Sequence, residues 1–232
     1  MRTIKFFLLV IFTTVLCRHV YAQKNRWTVK AGESIEKILG DSNIFRYSQF
    51  MPGVIHYKDG NVSHASFNLN RITGELQYIT PSKDTLSVGN ETSINYVTIQ
   101  ADTFYFDKVY IELIHGNAIA KLGKIEIIKM GNIEKEGAYG QTSSTASIES
   151  IEAYYSGSQT YKLVAKNTIT LEKRIVFFVG DNNNNFLPAS KKNITKMFSE
   201  KKAAIESFIK ENKIAFSNED DLVKLIDFLS KQ

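Results

Sequence analysis

The chain has 232 residues, with 29 Lys and Arg against 24 Asp and Glu, a formal net charge of +5, and a single cysteine, Cys17. A chain of this length can bury enough core to do without disulfides, and one cysteine excludes a disulfide framework within it. The basic excess is too small for the extended cationic face that nucleic-acid binding requires.

The first segment in chain order, residues 1–22, has the form of a secretory signal peptide. Arg2 and Lys5 precede an apolar run over residues 6–17, and Val20-Tyr21-Ala22 offers a cleavage point between Ala22 and Gln23. A membrane-spanning helix needs roughly 20 apolar residues, and this shorter run ends at Arg18-His19. No transmembrane segment is therefore expected in the mature chain. Acylation at Cys17 is the minority alternative, because Val15-Leu16 is bulky for a lipoprotein signal. Removal of Arg2, Lys5 and Arg18 leaves 26 basic against 24 acidic residues, a net charge of +2, with no cysteine and three histidines. The expected location is the periplasm, the outer envelope or the exterior. Thiol catalysis and thiolate metal sites are excluded from a mature chain that begins at Gln23.

From residue 23 to 186 the hydrophobic period is two, apart from a short helix expected over residues 33–39. Val109, Ile111 and Leu113 alternate with Tyr110 and Glu112, Ile125 and Ile127 with Lys124 and Glu126, and Tyr161 and Leu163 flank Lys162. Such alternation marks half-buried antiparallel strands. Turn residues cluster at 58–61, 70–74, 81–84, 89–90, 115–117 and 155–158. The fold expected is mainly β (α+β): an antiparallel meander of roughly ten strands, forming a large curved sheet, a sandwich or an open barrel. Trp27 is placed to pin the N-terminal end to the sheet.

Two segments interrupt that rhythm. Residues 134–147 are rich in glycine and hydroxyl side chains and are expected to form a long exposed loop, with Gly137, Ala138, Tyr139 and Gly140 as a possible binding tip. Residues 181–185 read as a turn-rich link. After Pro188 the period becomes helical, with apolar stripes at Ile194, Met197 and Phe198; Ile205, Phe208 and Ile209; and Leu222, Leu225, Ile226 and Leu229. A C-terminal helical segment of three short helices, residues 187–232, is expected to pack on the sheet. Ser217 or Asn218 would cap the last helix, ahead of Glu219, Asp220 and Asp221.

The segments Gly53-Val54-Ile55-His56-Tyr57-Lys58-Asp59-Gly60, Ala65-Ser66-Phe67-Asn68-Leu69-Asn70 and Gly74-Glu75-Leu76-Gln77-Tyr78-Ile79 resemble a hairpin pattern of uncharacterised exported proteins of Bacteroidota. Gly137-Ala138-Tyr139-Gly140 is similar to the same proteins, as are Ser190-Lys191-Lys192, Phe198, Lys201-Lys202, Ile205 and Asp221-Leu222. The resemblance implies an exported, β-rich envelope protein. It brings no activity and no functional residue with it.

Candidate chemistry is sparse. His56 and His64 flank the turn at residues 58–61 and are weak site candidates. A two-residue Asp59-Gly60 loop would set them on opposite faces. A three-residue loop with a left-handed Gly60 pairs Tyr57 with Asn61 and sets both histidines on one face, and this register is preferred because it aligns Ile55 and Tyr57 with Ala65, Phe67 and Leu69. Two imidazoles are an incomplete zinc site, and Asp181, Asn183 and Asn185 lack the glycine and glutamate of a calcium loop. No nucleotide cradle or Ser-x-x-Lys active-site set is complete. No catalytic residue, metal or cofactor is therefore expected. The tyrosines beside the strands serve sheet packing or, in a functional version, an exposed aromatic strip. The function expected is non-catalytic binding of an envelope protein or polymer through the sheet face, an edge strand or the 137–147 loop. The alternatives are a carrier of a hydrophobic ligand and a hydrolase with a dispersed site.

Overall fold

In the computed structural model, which describes residues 25–136, 142–144, 165 and 167–231, the period-two segments form twelve strands of one sheet. They are β1 (Arg26–Val29), β2 (Met51–Tyr57), β3 (Val62–Leu69), β4 (Leu76–Ile79), β5 (Thr85–Ser87), β6 (Ile94–Ile99), β7 (Asp102–Phe106), β8 (Tyr110–Gly116), β9 (Ala120–Glu136), β10 (Thr142–Ser144), β11 (Thr168–Asp181) and β12 (Phe186–Pro188). Every pairing between them is antiparallel. The spatial order is β1-β11-β9-β8-β7-β6-β2-β3-β4-β5, with β10 against β9 and β12 against β11. The sheet is open, and the protein is mainly β with helices at its C-terminus. Sequential neighbours pair along most of the meander. The chain departs from it where β6 returns beside β2 rather than β5, and where β1 adds to the far side of β11.

The helices are α1 (Ile35–Leu39), α2 (Asp41–Ile44), α3 (Lys191–Met197), α4 (Lys202–Glu211) and α5 (Glu219–Ser230). Ser34 and Ser190 cap α1 and α3 by accepting the amides of Lys37 and Asn193. Asn218 caps α5 by accepting from Asp221. Each cap satisfies an amide that has no partner within its helix.

Directly opposed residues of antiparallel strands share a face, so the registers sort the side chains onto two faces. On the first face, β9 runs from Ala120 and Leu122 through Lys124 and Glu126 to Ile128. Val179, Phe177, Ile175 and Lys173 lie opposite on β11. The apolar stripes of α3, α4 and α5 seat on Ala120, Leu122, Phe177 and Val179 to form one cluster. At the other end, Trp27, Val29, α1 and α2 cover Ile128, Ile169 and Leu171. A third cluster joins Ile55, Phe67, Leu76, Val97, Ile99 and Phe104 across the β2–β4 and β6–β7 strands.

Between these clusters lies a charged seam. Arg46 donates two hydrogen bonds to Glu112, at 2.8 and 2.9 Å, and Tyr47 donates to Asp102 at 2.7 Å. Arg71 and Lys173 both pair with Glu126, at 2.9 and 3.0 Å. Arg71 Nη1 also donates to the carbonyl of Phe45, covering the open end of α2. The first half of β8 is therefore buried on both sides, with Tyr110 and Glu112 enclosed beside Ile111, and does not keep the half-exposed pattern that alternation implied. The physical reason is the bidentate guanidinium, which lets a carboxylate occupy a buried position.

The second difference concerns residues 134–147. The backbone of β9 continues to Glu136, and Thr142–Ser144 pairs back onto Glu134–Glu136 as β10. Residues 134–136 and 142–144 are thus paired strand rather than loop. The tip residues Gly137, Ala138, Tyr139 and Gly140 lie outside the described residues, as do Ala22, Gln23 and Cys17.

Candidate functional site

The second face of the sheet is built differently. In the hairpin of β2 and β3, the Tyr57 amide donates to the Asn61 carbonyl, and Gly60 has φ +89, the left-handed conformation glycine adopts without a Cβ penalty. That turn sets Val62 opposite His56 and His64 opposite Val54, so both histidines lie on one face. Since β6 pairs with the other side of β2, the same residues also face Tyr96 and Thr98. Two rows then cross the sheet. The first holds Val62, His56, Tyr96, Tyr105, Ile111, Ile125 and Val176. The second holds His64, Val54, Thr98, Thr103, Leu113, Gly123 and Phe178.

No Asp, Glu, Lys or Arg stands in either row. The β8, β9 and β11 end is closed by packing. Phe186 lies over Gly180 and Gly123, where an added Cβ on Gly180 would come within 2.5 Å of the ring, and joins Val109, Ile111, Ile125, Ile127 and Phe178 in a buried cluster. The other end is open. Val62 is 51% exposed, His64 is exposed, and His56, Tyr96 and Tyr105 are half-buried. His56 stacks on Tyr96 with ring centroids 4.3 Å apart; Tyr96 meets Tyr105 at 6.3 Å, and Tyr105 meets Phe186 at 5.6 Å. The Lys121 ammonium sits 5.7 Å from the Tyr105 ring centroid and also donates to the Asp181 carbonyl. Burial of Tyr105 pushes its phenol above the ordinary value, so it presents a neutral hydroxyl. Beside this row a groove of about 470 Å³ opens at the start of β2.

The remaining candidate chemistry is occupied internally. Hydrogen bonding to Glu112 raises Arg46, and burial followed by the Asp102 contact raises Tyr47. Burial alone would raise Glu126, but Arg71 and Lys173 overcome it and hold the carboxylate below its usual range. Arg46, Arg71, Lys124 and Lys173 are matched by Asp102, Glu112, Glu126 and Glu219, so the seam is neutral in sum. His115 and Asp227 pair at 2.7 Å and tie β8 to α5. Asp181 accepts from the amides of Asn183 and Asn185 and from the Asn185 side chain, which makes the turn an Asx-type structure. Among the described residues, no three His, Cys, Asp or Glu cluster as metal ligands, and no helix is long and apolar enough to cross a membrane.

His56 and His64 were visible as a pair in the sequence, but their neighbours were not. Tyr96 and Tyr105 carried a signal, since each alternates with a buried partner, Val97 or Phe104. What the sequence lacked was the adjacency of β2 and β6. Comparison of the chain with protein-family models, with curated proteins and with solved structures finds no match.

Proposed function

We propose that the chain is an exported, non-catalytic protein of the cell envelope that binds an envelope partner through the second face of its sheet. The observation that carries this reading is the uncharged, partly open row of Val62, His56, Tyr96 and Tyr105. Apolar surface left uncovered in a contiguous patch marks interaction sites, and tyrosine supplies contact area at low entropic cost while its hydroxyl bonds the partner. Export rests on residues 1–22. The non-catalytic reading is supported by carboxylates held by guanidinium and ammonium groups rather than aimed into a cleft. A carrier of a hydrophobic ligand is less well supported, because Leu222, Leu225, Ile226 and Leu229 are fully buried against the sheet instead of lidding a cavity.

The test is a photo-crosslinking amino acid at position 96 in the native host, with position 192 on the exposed side of α3 as control. Adducts from position 96 alone, in the envelope fraction and from a chain starting at Gln23, are expected. Recovery of monomer alone from the soluble periplasm sinks the proposal.

A further inference from the structure

The groove at the start of β2 lies where β3, β2 and β6 run side by side, and the residues that line it include Gly53, Val54, His64, Ser66, Thr98 and Gln100. Gly53 is required there, because a Cβ would come within 2.5 Å of the Thr98 carbonyl and 3.0 Å of the Phe67 ring. Close approach of β2 to β6 follows from its absence. The groove is shallow and open, with a volume of about 470 Å³, so a ligand lying in it keeps one side in solvent.

Its chemistry is specific in kind. Ser66 and Thr98 offer hydroxyls, Gln100 an amide and His64 an imidazole, so donors and acceptors are mixed. None of the eight residues that line it is Asp, Glu, Lys or Arg. A phosphate or carboxylate ligand would meet no guanidinium or ammonium in this groove. Lys121 stands at the far side of Tyr105 and is engaged by the Asp181 carbonyl. A purely apolar ligand would leave the polar groups without partners, at a cost. The combination fits a ligand that is neutral and carries hydroxyls over a C–H surface. Beyond the groove the surface continues from Val54 to His56, two residues along β2 on the same face, and on to Tyr96 and Tyr105. Adjacent strands lie about 4.8 Å apart, so the contact surface is several strands wide and suits a chain of units.

We infer that this groove is a subsite for a neutral sugar unit of an envelope polysaccharide, with the chain continuing over His56, Tyr96 and Tyr105. The assignment rests on the proposal that the second sheet face is a binding surface, and adds the class of ligand. The pyranose C–H face would lie on Val54 and the ring edges, while its hydroxyls bond Ser66, Thr98 and Gln100.

The mature protein, titrated with maltoheptaose, cellohexaose and mannohexaose and followed by backbone-amide NMR, tests it; hexagalacturonate serves as an anionic control. The expected result is that at least one neutral oligosaccharide shifts amides of β2, β3 and β6, and that hexagalacturonate does not. Ser66→Ala and His64→Ala should each weaken that binding by roughly fivefold to tenfold, the value of one neutral hydrogen bond. His64 is exposed, so its variant keeps the fold whatever Ser66→Ala does, and the wild-type amide pattern outside the groove verifies this. Absence of shifts with all three neutral sugars overturns the assignment, as does tighter binding of hexagalacturonate. If those titrations are silent while position 96 still crosslinks to a protein, the sugar is wrong and the binding face stands. If both fail, both proposals fall.

Discussion

Glu126 shows how a single side chain answers to residues distant in sequence. It stands on β9, with Arg71 from the β3–β4 connection and Lys173 from β11 on its carboxylate. Arg71 is only 7% exposed, and burial lowers its affinity for its proton, opposed by Glu126. Removing one member of a buried pair leaves the other charge uncompensated. Glu126→Gln should therefore destabilise the protein by about 3 kcal/mol in denaturant titrations at neutral pH. The sign of the pH effect follows from the lowered carboxylate. Glu126 contributes stability that is fully present above its unfolded value of 4.5 and is lost as pH falls through the lower folded one. Thermal melts of the wild type should drop below about pH 5, and Glu126→Gln should show a shallower drop. An unchanged acid limb would contradict this role. None of these partnerships was legible in the sequence, where Lys124 and Glu126 read as the solvated side of a strand. Alternation reports two faces and does not say that both are covered.

At the scale of the element, the local chemistry was more transparent. Asn218 was one of two candidate caps for the last helix, and its side chain accepts the Asp221 amide at 2.9 Å. Asp221 in turn accepts from Ala215 and Lys224, and the Ala215 amide with Lys224 holds its carboxylate below the ordinary range. Asn218→Ala should cost about 1 kcal/mol, measurable as a lower denaturation midpoint, and Asn218→Ser should restore most of it. The hairpin turn at residues 58–60 was equally readable, because a left-handed Gly60 permits a three-residue loop whose register also aligns Ile55 with the apolar side of β3. Residues 134–136 and 142–144 were not. The glycine and hydroxyl content of the 134–147 segment as a whole signals loop, yet backbone pairing depends on no side chain, and an existing strand as long as β9 provides the template for β10.

Across the whole molecule, the decisive contact is between the C-terminal helices and the sheet. Helices of this length are marginal alone, and α5 gains its place by burying Leu222, Leu225, Ile226 and Leu229 over Ala120, Leu122, Phe177 and Val179. Leu225→Ala should cost about 2–5 kcal/mol. Far-UV circular dichroism and intrinsic fluorescence from Trp27, at the other end of the same face, should report one shared unfolding transition in that variant. Separate transitions would show that the helices melt independently of the sheet.

Short-range physics was sufficient for the class of fold. Alternation, turn residues, caps and the change to a helical period act over a few residues, so among the described residues most strands, turns and helices could be read in order along the chain, as could Trp27 docking at the sheet; the strand expected around Tyr161 and Leu163 and the turn at 155–158 lie outside those residues. Tertiary structure alone decided which strands became neighbours. Bringing β6 beside β2 joins strands separated by β3, β4 and β5, an event governed by loop closure and long-range burial rather than by local preference. That one adjacency sets Tyr96 against His56, completes the uncharged rows and opens the groove at Gly53. His56 and His64, and the strand tyrosines as a class, were visible beforehand; their assembly on one face with Val54, Val62 and Thr98 was not.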